Sequence, residues 1–122
     1  MDPKQLAQGV GMGRAVLGAG FILMPGPMGR LWVGSKSSDG AVKVLIRAIG
    51  VRDLAIGAGV LMALSAGTPA RRWVEAATVS DAVDCAAALM AGDSIPSYAR
   101  WAILLLGGSS AIQGALSAPK LD

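Results

Sequence analysis

Long apolar segments alternate with short polar connections along this chain of 122 residues. Four of them are close to the ~20 helical residues that cross a bilayer, and they cover residues 5–24, 41–66, 72–91 and 97–118. Proline or glycine follows each segment, as Pro25 follows the first and Pro119 the fourth, which is typical of helix ends. The pattern predicts one all-α domain over residues 1–122, an antiparallel bundle of four transmembrane helices.

The connections and the N-terminus fit this division. The longest connection, PGPMGRLWVGSKSSDG, contains RLWV, which we expect to lie along the membrane interface before a flexible link. Trp73 and Trp101 stand where the third and fourth segments begin, a common place for interfacial tryptophans. The start MDPKQLAQG is only weakly basic, so we interpret the first segment as a retained helix and not as a cleaved signal peptide.

The composition also favours a membrane protein. Hydrophobic residues make up 53% of the chain and charged residues 16%, whereas about a quarter of a typical soluble domain is charged. The 17 glycines suit close helix packing in a bilayer. A soluble bundle of helical hairpins is the alternative. It is disfavoured because little charge remains for a water-exposed surface once the connections are set aside.

Several kinds of site are excluded or disfavoured. The sequence has no histidine and one cysteine, Cys85, which excludes an intrachain disulfide, a zinc site of cysteine and histidine ligands, and a histidine general base. Much of the positive charge lies inside apolar segments, so nucleic acid is not an expected partner. The stretches GVGMG and GAG lack the preceding strand of a dinucleotide-binding loop, and no cofactor is expected.

Charged residues lie near the middle of three apolar segments. An unpaired charge at the centre of a bilayer costs at least ~2.5–3.5 kcal/mol, and pairing inside a bundle lowers that cost. We therefore predict an internal network of ion pairs in which three cations balance three anions and Arg47 lies at the depth of Asp84. Its members are Arg14, Arg47, Arg52, Asp53, Asp81 and Asp84.

Small residues flank these charges. At about 100° per residue, Asp53 shares one face of the second helix with two glycines, so a neighbouring helix is expected to approach it closely. Arg52 points elsewhere and is expected to serve a different neighbour. Close helix packing is predicted at Gly50, Gly57, Gly107 and Gly114.

Three interpretations of the charged network remain open. It could hold the bundle together, it could bind a ligand or transfer a proton, or part of it could face a partner protein. Asp81 and Asp84 are close enough along a helix that one of them could hold a proton at neutral pH. A metal site formed by these two residues and Cys85 is disfavoured because arginines are the better partners, so no metal is expected.

The chain resembles a group of small bacterial integral membrane proteins of unknown function. The resemblance rests on RAIGVRDLAIG (Arg47–Gly57), on DAVD (Asp81–Asp84) and on the first helix with its proline stop, LGAGFILMPGPMGRLWVG. It covers nearly the whole chain and implies four membrane helices. It implies no activity.

These observations lead to an expected function. We predict a multi-pass protein of a bacterial inner membrane, in contact with lipid and with other membrane subunits or copies of itself, that has a structural or accessory role in a transport or respiratory assembly. The alternative is a small transporter or a ligand- or proton-binding bundle that uses the charged network. An enzyme is not expected. Arg71 and Arg72 in a very short connection favour cytoplasmic termini.

Overall fold

The computed structural model describes residues 2–122 and is helical throughout, with no strand in that range. The prediction of an all-α protein is therefore confirmed. The helices are α1 (Pro3–Leu23), α2 (Pro25–Val33), α3 (Gly40–Ala66), α4 (Arg71–Ala91) and α5 (Ser97–Ser117). Short 3-10 turns follow at Gly34–Ser38, Gly92–Ser94 and Ala118–Lys120.

The four long helices lie close to the segments read from the sequence, and the largest difference is that α1 begins at Pro3 and not at Gln5. The first connection differs more, because it forms α2 and a 3-10 turn where a flexible link was expected. Pro25 ends α1 and at the same time opens α2, since the first position of a helix needs no N–H donor. Asp39 then caps α3 by accepting hydrogen bonds from the N–H groups of its first turn.

Glycines bring α1 and α3 into backbone contact. A Cβ atom on Gly57 would lie 2.5 Å from the carbonyl oxygen of Gly11, and one on Gly50 would lie 2.7 Å from that of Gly18. Residue numbers increase along α1 where they decrease along the facing part of α3, so the two helices are antiparallel. Any side chain at these positions would force the helices apart.

A second antiparallel pair is formed by α4 and α5. Here Gly107 lies against the Sγ atom of Cys85, where an added Cβ would stand 3.2 Å away, and Gly114 lies directly against the Thr78 hydroxyl. Cys85 also contacts the carbonyl oxygen of Ile103, with its Sγ atom 3.8 Å from that oxygen. Small residues thus set the distance between helices in both pairs.

The outer surface of the bundle is largely apolar. Two segments, Pro3–Leu23 and Ser97–Lys120, are long and apolar enough to cross a membrane. Only 33% of the most apolar part of the first segment, and 28% of that of the second, is buried inside the protein. The other two long helices, α3 and α4, carry most of the central charges. Large apolar side chains such as Val16, Met62 and Leu105 point outward with more than half of their surface exposed.

A charged cluster beside a cavity as the candidate functional site

Arg14 of α1 is the centre of a buried ionic cluster. Its guanidinium donates to the Oδ1 atom of Asp53 on α3 at 2.8 Å and to the Oδ1 atom of Asp81 on α4 at 2.5 Å. A third, longer bond of 3.3 Å goes to the carbonyl oxygen of Ala77. Arg14, Asp53 and Asp81 are each only 6% exposed. One arginine therefore joins three helices in the interior of the bundle.

Arg52 extends the cluster toward α4. It forms a two-pronged pair with Asp84, with N–O distances of 3.1 and 2.8 Å. It also contacts its own neighbour Asp53, 3.1 Å from Nε to Oδ1. The expectation that Arg52 and Asp53 serve different neighbouring helices is confirmed, since Arg52 binds Asp84 of α4 and Asp53 binds Arg14 of α1, and the two side chains also contact each other. The carboxylate of Asp53 thus binds both arginines of the cluster.

Arg47 does not belong to the cluster. The prediction that it joins the network at the depth of Asp84 is therefore wrong. The side chain of Arg47 is exposed and its Nε donates to the carbonyl oxygen of Ile22 at 3.1 Å. That carbonyl lies in the last turn of α1, where helix carbonyls lack partners within the helix. The end of α1 thus draws Arg47 away, and Arg52 takes Asp84 instead.

The predicted balance of three cations and three anions is also wrong. Two arginines, Arg14 and Arg52, are paired with three aspartates, Asp53, Asp81 and Asp84. With every group ionised, the cluster keeps one negative charge. Five of the six residues predicted for the network are brought together, and only the count of cations differs.

Two atoms of the cluster remain without a hydrogen-bond partner within residues 2–122. They are the Nε atom of Arg14, a donor, and the Oδ2 atom of Asp81, an acceptor, and both are fully buried. A buried polar group without a partner costs about 1–3 kcal/mol, so most such groups in proteins are paired with protein, water or a bound ion. These two atoms indicate where a further polar group would be stabilised.

A cavity of about 170 Å³ adjoins the cluster. Four members of the cluster, Arg14 and all three aspartates, form part of its wall. The remainder is contributed mainly by one face of α1 and one face of α5, whose lining residues are Gly9, Val10, Gly13, Leu17, Leu106, Gly107, Ser109, Ser110 and Gln113, with Trp32 from α2. The cavity is thus apolar along most of its wall and polar where it meets the charges.

Sequence reasoning missed two contributions to this cavity. Trp32 was assigned to an interfacial connection, but it packs edge-on against Phe21, 5.4 Å between ring centroids, and lines the cavity. It also lines a second, mainly apolar cavity of about 190 Å³, which Asp84 shares. Ser110 and Gln113 of α5 also line the cavity and were not among the predicted site residues. Their spacing of three residues was the signal that could have placed them at one site.

The arrangement is suited to binding. It offers fixed charges, hydroxyl and amide groups around a small cavity, and these features hold ions and polar molecules. No protein-family model matches the chain, and neither a curated protein nor a solved structure does.

Proposed function

We propose that this chain is a four-helix integral membrane protein that binds a small polar ligand beside its central ionic cluster. The cavity of about 170 Å³ that touches Arg14, Asp53, Asp81 and Asp84 is the observation that carries the proposal. A purely structural cluster would be packed closed, because buried ion pairs are stable only when their remaining polar atoms are satisfied. We infer on this basis a small transporter or a ligand-binding bundle.

Helix lengths support placement in a bilayer. The 21 residues of α1, α4 and α5 span about 32 Å and the 27 residues of α3 about 40 Å, while the hydrocarbon core is about 30 Å thick. The outward apolar side chains would face lipid, and the charges of α3 and α4 would be shielded by the other helices. A bacterial inner membrane is proposed on the resemblance to small bacterial membrane proteins.

Cysteine labelling tests both parts of this proposal. In a Cys85→Ala background and in lipid vesicles, Ser110→Cys places a thiol in the cavity wall, while Ile112→Cys places one on the outer face of α5 at nearly the same depth. A water-soluble thiosulfonate reagent is expected to modify the first variant and not the second, because a thiolate does not form in lipid.

Each other pattern of labelling would contradict part of the proposal. If both variants react at the same rate, the outer face is in water and the membrane placement fails. If neither reacts, the cavity is closed to solutes and ligand binding fails. Labelling of both variants in detergent-denatured protein is the control for reagent quality.

An accessory role is the second candidate, and one observation favours it. Gly9 and Gly13 of α1 are exposed and spaced by four residues, and a Cβ atom on either would meet nothing within 4 Å. Pairs of glycines at this spacing allow close contact between membrane helices. Chemical crosslinking in native membranes tests this role: wild-type protein should crosslink to another chain or to itself, and Gly13→Leu should not.

A further inference from the structure

With every group ionised, one negative charge of the cluster has no counterpart among residues 2–122. Arg14 and Arg52 face three aspartates, and the remaining cation of α3 near this depth, Arg47, is exposed and bound to a carbonyl at the end of α1. Helix α5 contributes Ser109, Ser110 and Gln113 to the cavity but no charged residue. Charges interact strongly where water is scarce, so an uncompensated negative charge attracts a cation to the nearest open space. That space is the cavity.

The wall of the cavity combines two kinds of surface. At the end that meets the cluster are carboxylates and the hydroxyl and amide groups of α5, which accept hydrogen bonds from an N–H donor. Along the remainder are the apolar side chains of Val10, Leu17 and Leu106 and the indole ring of Trp32. An aromatic face also attracts a cation. The wall therefore matches a molecule with one cationic end and a short apolar body.

The size of the cavity limits that molecule. A cavity of about 150 Å³ holds benzene, and this one measures about 170 Å³. An occupant of roughly six non-hydrogen atoms is expected on that comparison. An inorganic ion would leave most of the apolar wall without contacts. The exposed Gly9 and Gly13 form part of the rim of the cavity between α1 and α5.

We propose that the cavity binds a small primary alkylammonium ion, with the ammonium group toward Asp81 and the alkyl chain between α1 and α5. This inference rests on the proposed ligand-binding function and names its ligand class. The ammonium group supplies the positive charge that the cluster lacks. The alkyl chain contacts the apolar wall.

Trp32 fluorescence measures the binding. Trp73 and Trp101 lie on the outer surface, so Trp73→Phe and Trp101→Phe leave Trp32 as the only indole. In lipid nanodiscs, n-pentylammonium chloride is expected to change this fluorescence saturably. The matched controls are 1-pentanol, which has the same size but no charge, and sodium chloride at equal ionic strength. An equal response to either control would overturn the proposal.

Variants locate the site. Asp81→Asn lowers the negative charge of the cluster by one and is expected to weaken n-pentylammonium binding at least about tenfold, as the loss of a charged partner predicts, whereas the exposed Asp93→Asn should leave it unchanged. Asp81→Asn also alters the ionic cluster, so a second variant is needed. Gly13→Leu fills the rim of the cavity without changing any charge, and its control, Gly108→Leu, adds the same side chain in open space elsewhere.

The expected result is that Gly13→Leu abolishes the fluorescence change and Gly108→Leu preserves it. Retention of binding in Gly13→Leu would overturn the proposed site. The thiol-labelling experiment stands apart from these measurements. A cavity that admits the thiosulfonate reagent but gives no response to n-pentylammonium would preserve ligand binding and refute this ligand class.

Discussion

Arg14→Met is the most informative single perturbation of the bundle. It removes two charge-assisted hydrogen bonds, of 2.8 and 2.5 Å, and leaves one cation among three anions. Each such bond contributes about 1.5–3 kcal/mol, and removal of one partner from a buried pair costs about 3–5 kcal/mol. We therefore expect the free energy of unfolding to fall by about 3–5 kcal/mol. Reversible unfolding in mixed detergent micelles measures this change.

Arg47→Met is the matched control for that measurement. The same substitution there removes one hydrogen bond from an exposed side chain, so a loss below about 1.5 kcal/mol is expected. Adding Asp81→Asn to Arg14→Met restores the charge count of the natural cluster, and it should recover about 1–3 kcal/mol as coupling between the two sites. Equal losses in the two arginine variants, or no recovery in the double variant, would refute the account of a charge-coupled core.

Two further predictions concern helix packing and the second arginine. Gly57→Ala should destabilise the protein by about 1–3 kcal/mol, because its Cβ would meet the α1 backbone. Gly13→Ala, the control, should change the stability by no more than about 0.5 kcal/mol. Equal effects in the same unfolding assay would contradict the packing argument. Asp84→Asn should lower the free energy of unfolding by about 1–2 kcal/mol. This is toward the low end for a charge-assisted hydrogen bond, because the side chain of Arg52 is 32% exposed. Asp93→Asn, on the surface, should not measurably change the free energy of unfolding. If it lowers that free energy as much as Asp84→Asn does, the pair of Arg52 and Asp84 contributes no more than a surface charge.

Much of this architecture was predictable because the cost of burying charge is large. Periodicity and proline placement gave the four long helices, and the penalty for an unpaired charge in an apolar segment indicated that Asp53 and Asp81 must find arginine partners. The glycines beside Asp53 likewise indicated a close neighbour. The structure shows that this neighbour is α1, through Gly11 and Gly18.

What the sequence could not provide was the choice among partners at similar depth. By position along α3, Arg47 was expected at the depth of Asp84, yet Arg52 binds it. The choice depends on the end of α1, whose free carbonyl at Ile22 lies within reach of Arg47 only in the folded bundle. The cavity was likewise invisible, because it depends on how far α1 and α5 stand apart.

The distribution of charge among the helices explains where the cavity lies. The two aspartates of α4 bind arginines from two different helices, Asp81 to Arg14 of α1 and Asp84 to Arg52 of α3. A shift of α4 by one turn, about 5.4 Å, would break both pairs, so its register against α1 and α3 is fixed. Helix α5 contributes no member to these pairs and is held mainly through small residues against α4. Among the described residues no ion pair joins α5 to α1 or to α4; small residues close the seam with α4, and the cavity opens along the seam with α1.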